Sequence, residues 1–471
     1  MSLLLFLSND ASIPLHRRVI SALMEAINSA RLVPGALLPS SRELAASLGV
    51  SRATVSKAYE ELCRTGYLVT RVGGKTRVAE VLPTEDRATD KTTGVVGRRI
   101  APVQQEGMDK YVSSYALRLG QAGIVSSWGH LASATPKRHL PIPQWKQILT
   151  KYCTELDARK LGSDPFGDVS FRHTIAKFLG RVRAVKCEQE QIVTFLESQS
   201  GLNYIAQVLL DEGDLVVIED PCFINAKNIL FASGAEVVAA PLDAEGLSVD
   251  YLRERIPADK RVKLIYTTPS FQDPTGVCMS RSRRVELLRF AKQHDALIVE
   301  DSWDGSHIYI KDVPPPLFAL TEDENVLYLC SFWKPLYPLS MVSALVIPER
   351  LISYFSRAKM ITQEAGPGYE HTLEEFIETG LYEKYLKTVV RTLTPVRQSV
   401  IEQLLIAFRD SIQIRKQSSA FWLTVQFNDL VKSEEILARA QDAGLRFHPT
   451  KFYYERPENA PANEFIVHFA D

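Results

Sequence analysis

PSSRELAASLGVSRATVSKAYEELCRTGYLVTRVGGKTR, residues 39–77, decides how the rest of the chain is read. Ser40 and Glu43 have the capping-box spacing, in which each side chain satisfies a free backbone N–H at a helix start. Leu44, Ala45 and Leu48 then share one face, and Gly49 closes the short helix in the left-handed conformation that glycine tolerates. Ser51 is placed to cap a second helix, along which Val55, Ala58, Tyr59 and Leu62 follow the i, i+3, i+4, i+7 stripe of a buried face. That stripe leaves Arg52, Thr54, Ser56 and Lys57 outward near the N-terminal end, the end a helix-turn-helix presents to base edges and phosphates. Gly66 ends the helix, and YLVTRVGGKTRV (67–78) predicts a two-stranded wing with a Gly-rich tip carrying Arg71, Lys75 and Arg77. A small helical hairpin with a solvated basic face is the bland alternative. Cap, turn glycine, core stripe and basic wing agree against it, and the stretch reads as a winged helix-turn-helix.

Upstream, residues 13–30 form an amphipathic first helix with Val19, Ile20, Leu23 and Ile27 inward, ended by the Val33-Pro34-Gly35 turn. Pro34-Gly35, LPSSRELA (38–45), LGVSRATVSKAYEEL (48–62) and GYL (66–68) together resemble the DNA-binding head of GntR-type bacterial regulators. The resemblance covers most of the first 80 residues. It implies that Arg42, then Ser51, Arg52 and Thr54 at the start of the third helix, and Lys75 in the wing contact DNA.

The chain has 471 residues, enough for two or three domains and at least one large core. Its net charge is −1, so overall basicity does not advertise nucleic acid. The distribution does. Residues 1–80 hold ten Lys/Arg against six Asp/Glu, or +4, which leaves −5 for the remainder. A basic head on an acidic body is the layout of a DNA-binding module joined to a separate sensory domain. Six cysteines, Cys63, Cys153, Cys187, Cys222, Cys278 and Cys330, lie scattered with no CxxC pair. They predict reduced thiols in a cytoplasmic protein, with no disulfide framework and no metal site. The opening LLLFL (3–7) is too short for a membrane span and lacks a basic flank, so neither a membrane nor a secretion signal is expected.

Residues 81–127 begin with Thr, Asp, Arg and Pro and show little apolar periodicity. They are expected to link a head at 10–80 to a body at 128–471, with a place on a domain surface open for their second half. In the body, DLVVIED (214–220), VKLIYTTP (262–269), ALIVED (296–301), NVLYLCSF (325–332) and SALVIP (343–348) alternate with helical stretches at 201–210, 282–294 and 369–380. Fully apolar strands separated by helices imply an α/β fold, a parallel sheet covered on both faces. In such sheets the ligand lies beyond the carboxyl ends of the strands.

Three strand ends carry unusual chemistry. ALIVED ends in Asp301, VLYLCSF leads to Lys334, and KLIYTTP opens into SFQDPTG (270–276). A lysine and a carboxylate at one sheet edge suit an aldehyde cofactor. The lysine forms a Schiff base, and the carboxylate keeps a pyridine nitrogen protonated so that the ring is an electron sink. Each residue alone has a duller explanation, a turn aspartate or a solvated loop lysine.

The landmarks PIPQW (141–145), DPFGDVSFR (164–172), ESQSGLNYIAQVLLDEGD (197–214), EDPCF (219–223), TTPSFQDPTG (267–276), EDSWD (300–304), SFWKPLYP (331–338) and EEFIETGLYEKYL (374–386) resemble, in that order, a fold-type I aminotransferase dependent on pyridoxal phosphate. Behind a GntR-type head this is the layout of the MocR-like subfamily. The resemblance implies a mostly parallel sheet covered by helices, with Lys334 as the Schiff-base lysine and Asp301 as the partner of the pyridine nitrogen. It places Ser331 as a phosphate-binding hydroxyl, Ser198 and Gln199 in a phosphate cup at a helix N-terminus, and Phe223 near the ring.

The departures matter as much. Trp303 stands where the family has a tyrosine on the phenolic oxygen, and an indole donates from a different place and cannot accept. Asp273 replaces an Asn or apolar residue before Pro-Thr-Gly, and Met341 replaces the arginine that clamps the phosphate. Losing that charge-assisted contact costs about 1.5–3 kcal/mol. The tail NAPANEFIVHFAD (459–471) has no arginine where the family holds an amino-acid carboxylate. The expectation is a regulator of double-stranded operator DNA whose body binds pyridoxal phosphate, a small-molecule effector, or both, working as a homodimer whose two heads meet two half-sites. Two other readings stay open: an active aminotransferase with a vestigial head, and a regulator that has lost the cofactor.

Overall fold

The computed structural model describes residues 14–28, 32, 35–64, 67–70, 76–79, 111–121, 139–155, 164–304, 313–362, 366–415, 421–428, 436, 437, 439, 440 and 445–469. The chain divides into two compact units, residues 1–94 and 95–471.

The smaller unit contains α1 (Leu15–Asn28), α2 (Ser41–Leu48), α3 (Arg52–Arg64) and the antiparallel pair β1 (Leu68–Val69) and β2 (Arg77–Val78). Both arms of the capping box are made: Ser40 N–H donates to Glu43 Oε2 at 2.9 Å, and Glu43 N–H to Ser40 Oγ at 3.3 Å. Gly49 adopts φ +65°, which leaves room for the tight turn into α3, and Thr54 N–H is capped by Ser51 Oγ at 3.1 Å. Val19, Ile20, Leu23 and Ile27 of α1 close over Leu44, Val55, Ala58, Tyr59 and Leu62 in one core. The wing is broader than expected. Leu38 N–H donates to Thr76 O and Val78 N–H to Ala36 O, each at 2.9 Å, so residues 36–38 lie along β2 as a further extended segment. Gly66, the Val33-Pro34 turn, the opening apolar run and the wing tip with Arg71 and Lys75 lie outside the described residues.

The larger unit is built on a sheet of β3 (Ile192–Phe195), β4 (Leu215–Asp220), β5 (Glu236–Asp243), β6 (Gly246–Leu247), β7 (Leu264–Thr267), β8 (Leu297–Ser302), β9 (Val326–Ser331) and β10 (Ser343–Val346). Their order is β3-β10-β9-β8-β7-β4-β5-β6. The sheet is mostly parallel, with β9, β8, β7, β4 and β5 aligned. β10 runs against both its neighbours, because the short connection 332–342 cannot make the crossover that a parallel strand needs. Along β4, Val216 and Ile218 enter one core while Leu215 and Val217 enter another, which is why the run reads as apolar throughout.

The long helix Leu381–Phe408 leads into a second sheet that the sequence patterns did not announce. It comprises β11 (Ile412–Ile414), β12 (Trp422–Phe427), β13 (Phe447–Pro449) and β14 (Glu464–His468), all antiparallel in the order β11-β12-β14-β13. In the second half of 81–127, where a place on a domain surface stayed open, residues 114–121 are helical. Helix Ser114–Gln121 docks on the larger unit through Arg118, which donates to Ala232 O at 3.0 Å and pairs with Glu212 at 3.3 Å, and through Tyr115 O–H to Asn203 at 3.1 Å. Its anchors are polar, so it left no apolar stripe to read. Among the described residues no helix is long and apolar enough to cross a membrane.

Candidate functional site

In the smaller unit, Arg42, Ser51, Arg52 and Lys57 are exposed and Thr54 and Ser56 half-buried, around the N-terminal end of α3. Local capping and the buried stripe together aim that end outward. Ser51 Oγ and Thr54 Oγ1 lie 2.8 Å apart, so their hydroxyls are partly engaged with each other. Arg77 donates to Gly35 O at 3.1 Å, which makes it a brace at the base of the wing as well as a surface cation.

In the larger unit the carboxyl ends of β4, β7, β8 and β9 converge. Lys334 sits in the short helix Trp333–Leu336 directly after β9 and is 0 % exposed. Tyr385 O–H donates to Pro335 O at 2.5 Å and Phe332 N–H to Val342 O at 3.0 Å, fixing this turn from both sides. The ammonium lies 5.2 Å from the ring centroids of Trp333 and Trp422 and 5.9 Å from that of Phe421, within cation–π reach of all three. Trp422 in turn stacks on Trp303 at 4.7 Å and 8°.

Asp301 is buried at the end of β8. Tyr266 donates its phenolic proton to Oδ2 at 2.8 Å, while Oδ1 has no partner among the described residues. Burial pushes the Asp301 carboxyl up to about 7 against the pull of the Tyr266 hydrogen bond, with Glu219 adding to the rise. Asp273 is likewise raised to about 7 by burial, opposed by the Lys334 charge and reinforced by Asp301 and Glu219. Glu219 holds the loop that presents Asp273. It accepts from Thr267 Oγ1 (2.5 Å), Thr268 N–H (3.0 Å), Thr268 Oγ1 (2.7 Å) and Gln272 Nε2 (3.1 Å), and burial raises its carboxyl too.

Ser331 is buried with its Oγ unpartnered among the described residues. Ser198 is the first residue of helix Ser198–Leu209, with Gln199 beside it. Gly201 lets that helix approach β3 and β9, since a Cβ there would meet Phe195 and Leu329 at 3.2 Å. Phe223 precedes helix Ile224–Ala232 at the end of β4, half-buried. The Trp303 indole N–H is committed to Phe271 O at 2.7 Å, and Trp422 N–H and Thr424 O–H both donate to Pro274 O at 3.0 and 2.9 Å.

Sequence reasoning missed Tyr266, Glu219 and Trp422. Tyr266 and Glu219 sit inside strand runs that look purely structural, and Trp422 comes from the second sheet. A separate cluster, Asp168, His371 and Glu374, brings ligand-type atoms within 4.8 Å. Those atoms already serve the fold: Asp168 caps Phe171 N–H at 3.0 Å, and His371 Nδ1 is 3.1 Å from Glu374.

The aminotransferase class I and II family matches residues 128–336, and the gntR family of bacterial regulatory proteins matches residues 15–78. The chain is 29 % identical over 467 residues to the probable rhizopine catabolism regulatory protein MocR of Rhizobium meliloti, covering 97 % of this chain and 90 % of that protein. It is 26 % identical over 470 residues to the HTH-type transcriptional regulator TauR of Rhodobacter capsulatus, covering 96 % and 92 %. Among solved structures it is similar to the kynurenine aminotransferase of Pyrococcus horikoshii, with a TM-score of 0.67 and 24 % identity over 78 % of this chain and 93 % of that one. That last likeness concerns the fold of the larger unit.

Proposed function

We propose that this chain, which belongs to the MocR-like subfamily of GntR-type regulators, is a transcriptional regulator that grips duplex operator DNA with its winged helix-turn-helix and senses a small molecule in its aminotransferase-like body. The observation that carries the first half is the outward N-terminal end of α3, where Arg42, Arg52 and Lys57 are exposed over a fully capped core. Full-length protein titrated with fragments of its upstream DNA tests it. Saturable, salt-dependent binding to a specific fragment is expected, and indifference to every fragment would remove the reading.

For the body, pyridoxal phosphate is the ligand class the residues support best. When bound, it supplies an aldehyde that a lysine can hold covalently and an electron-withdrawing pyridine ring. The unpartnered Oδ1 of Asp301 suits the ring nitrogen, and the unpartnered Oγ of Ser331, with the N-terminal N–H groups at Ser198 and Gln199, suits the phosphate. Lys334 is the attachment point. Three features favour holding the group over turning substrate over. Trp303 has already spent its N–H on Phe271, Asp273 sets a carboxyl group where the family is uncharged, and Met341 supplies no cation to the phosphate. An effector that prefers one of two arrangements of the body would shift the heads of a cytoplasmic homodimer relative to each other. Visible absorption of the purified protein that disappears in Lys334→Ala, with DNA binding retained, is the expected result; rapid transamination of common amino acids would make the chain an enzyme instead.

A further inference from the structure

Among the described residues three arginines are buried, Arg172, Arg183 and Arg284, and two of them are fully served. Arg172 meets Asp164 at 2.5 Å and donates to Gly167 O and Gln189 O. Arg284 lies 3.5 Å from Glu300 and donates to the carbonyl oxygens of Met279, Pro269 and Pro315. Arg183, the last residue of helix Val169–Arg183, reaches among the described residues only a neutral hydroxyl, Ser270 Oγ, at 3.0 Å from Nη2. Its Nε is buried with no partner among the described residues.

The carboxylate that both Arg183 and Arg284 influence is Glu300, and it is already taken by Arg284 and by Phe318 N–H at 3.0 Å. Among the described residues Arg183 is thus left without a carboxylate of its own, an arrangement that a low-dielectric interior penalises. Beside Arg183 a cavity of about 20 Å³ opens between Phe178, Tyr328, Phe332 and Tyr382 and reaches Ser331. A space of that size admits one water or one ion of similar radius. Water leaves the charge uncompensated; an ion does not.

We propose that this cavity holds one small monovalent anion of halide size, bound by the Arg183 guanidinium. It is too small for a phosphate ester, so it adjoins the phosphate site proposed at Ser198 and Gln199, with Ser331 as the wall between them, and does not replace it. Because its wall includes Ser331, three residues before Lys334, occupancy stiffens the strand end that carries the lysine.

Crystals of the full chain grown in bromide should show an anomalous peak beside Arg183, kept in Arg183→Lys and lost in Arg183→Gln. In solution, chloride titrated against gluconate at fixed ionic strength should raise the thermal midpoint of the wild type saturably. Arg183→Gln should need roughly ten to a hundred times more chloride for the same rise, the loss of one charge-assisted contact. No bromide at Arg183 in the wild type, or the same chloride response in wild type and Arg183→Gln, would overturn the proposal. Should Arg183→Gln not fold, the wild-type map and the Arg183→Lys titration decide it.

Discussion

Tyr266 and Asp301 are joined by a buried 2.8 Å hydrogen bond that satisfies one carboxylate oxygen and leaves the other open at the edge of the sheet. The two side chains come from neighbouring parallel strands, β7 and β8; Tyr266 is paired with Val299, and its phenol reaches two residues along β8 to Asp301 on the same face. The phenol thus acts as a positioning group, turning Asp301 so that Oδ1 stays available.

Tyr266→Phe should therefore destabilise the body by about 1–3 kcal/mol, the cost of leaving a buried acceptor unpaired. The Tyr266 bond pulls the Asp301 carboxyl down, so its loss should also raise that group further above about 7. Denaturant unfolding measures the first effect. Carboxyl titration by NMR or infrared spectroscopy measures the second, and a purely structural tyrosine would not move it.

Much of this site was legible because it follows from strand periodicity. The apolar runs ending at Asp301 and before Lys334 fix both residues at one edge of a parallel sheet, whatever the loops do. The head was equally legible, since capping and turn chemistry are local. Trp422 was not. It belongs to an antiparallel sheet of short strands, and its place near Lys334 depends on tertiary packing of residues far apart in sequence. Helix Ser114–Gln121 escaped for a related reason, being held by Arg118 and Tyr115 rather than by an apolar face.

The loop at 164–168 offers a sharp steric test. Gly167 has φ +107°, and a Cβ there would stand 1.9 Å from Thr194 Oγ1, the hydroxyl that donates to Glu370 Oε1 at 2.5 Å. Gly167→Ala meets both backbone strain and a collision with a buried hydrogen-bonded group. A loss of about 2–5 kcal/mol is expected by chemical denaturation, whereas Gly213→Ala, where a Cβ would have nothing within 4 Å, should bear backbone strain alone.

Arg52→Ala should weaken binding to specific and non-specific duplexes alike and lower the slope of log affinity against log salt by about 1, if Arg52 neutralises one phosphate. Arg52 is exposed at the first position of α3, so the thermal midpoint should be unaltered, which separates the change from a folding defect. Lys75→Ala should behave the same way from the wing. Glutamate salts are preferable to chloride for the titration, to keep any halide site in the body constant. An unchanged slope in both variants would place the interface elsewhere.

Asp273 makes the stability of the body depend on pH in a direction unusual for an aspartate. Its carboxyl moves from an ordinary 3.8 up to about 7, so the folded state holds a proton that the unfolded chain releases between those values. The contribution to stability is therefore full below about pH 4 and is lost as the pH rises through about 7, with a slope of at most about 1.4 kcal/mol per pH unit from this group. Asn cannot ionise, so Asp273→Asn should gain on the wild type across that window and run parallel to it above about pH 8. Asp301 titrates in the same range and interacts with Asp273, so the difference between the two unfolding curves reports Asp273 together with its effect on Asp301. A constant difference from pH 4 to pH 8 would mean that the buried carboxyl stays ionised, with Lys334 compensating its charge throughout.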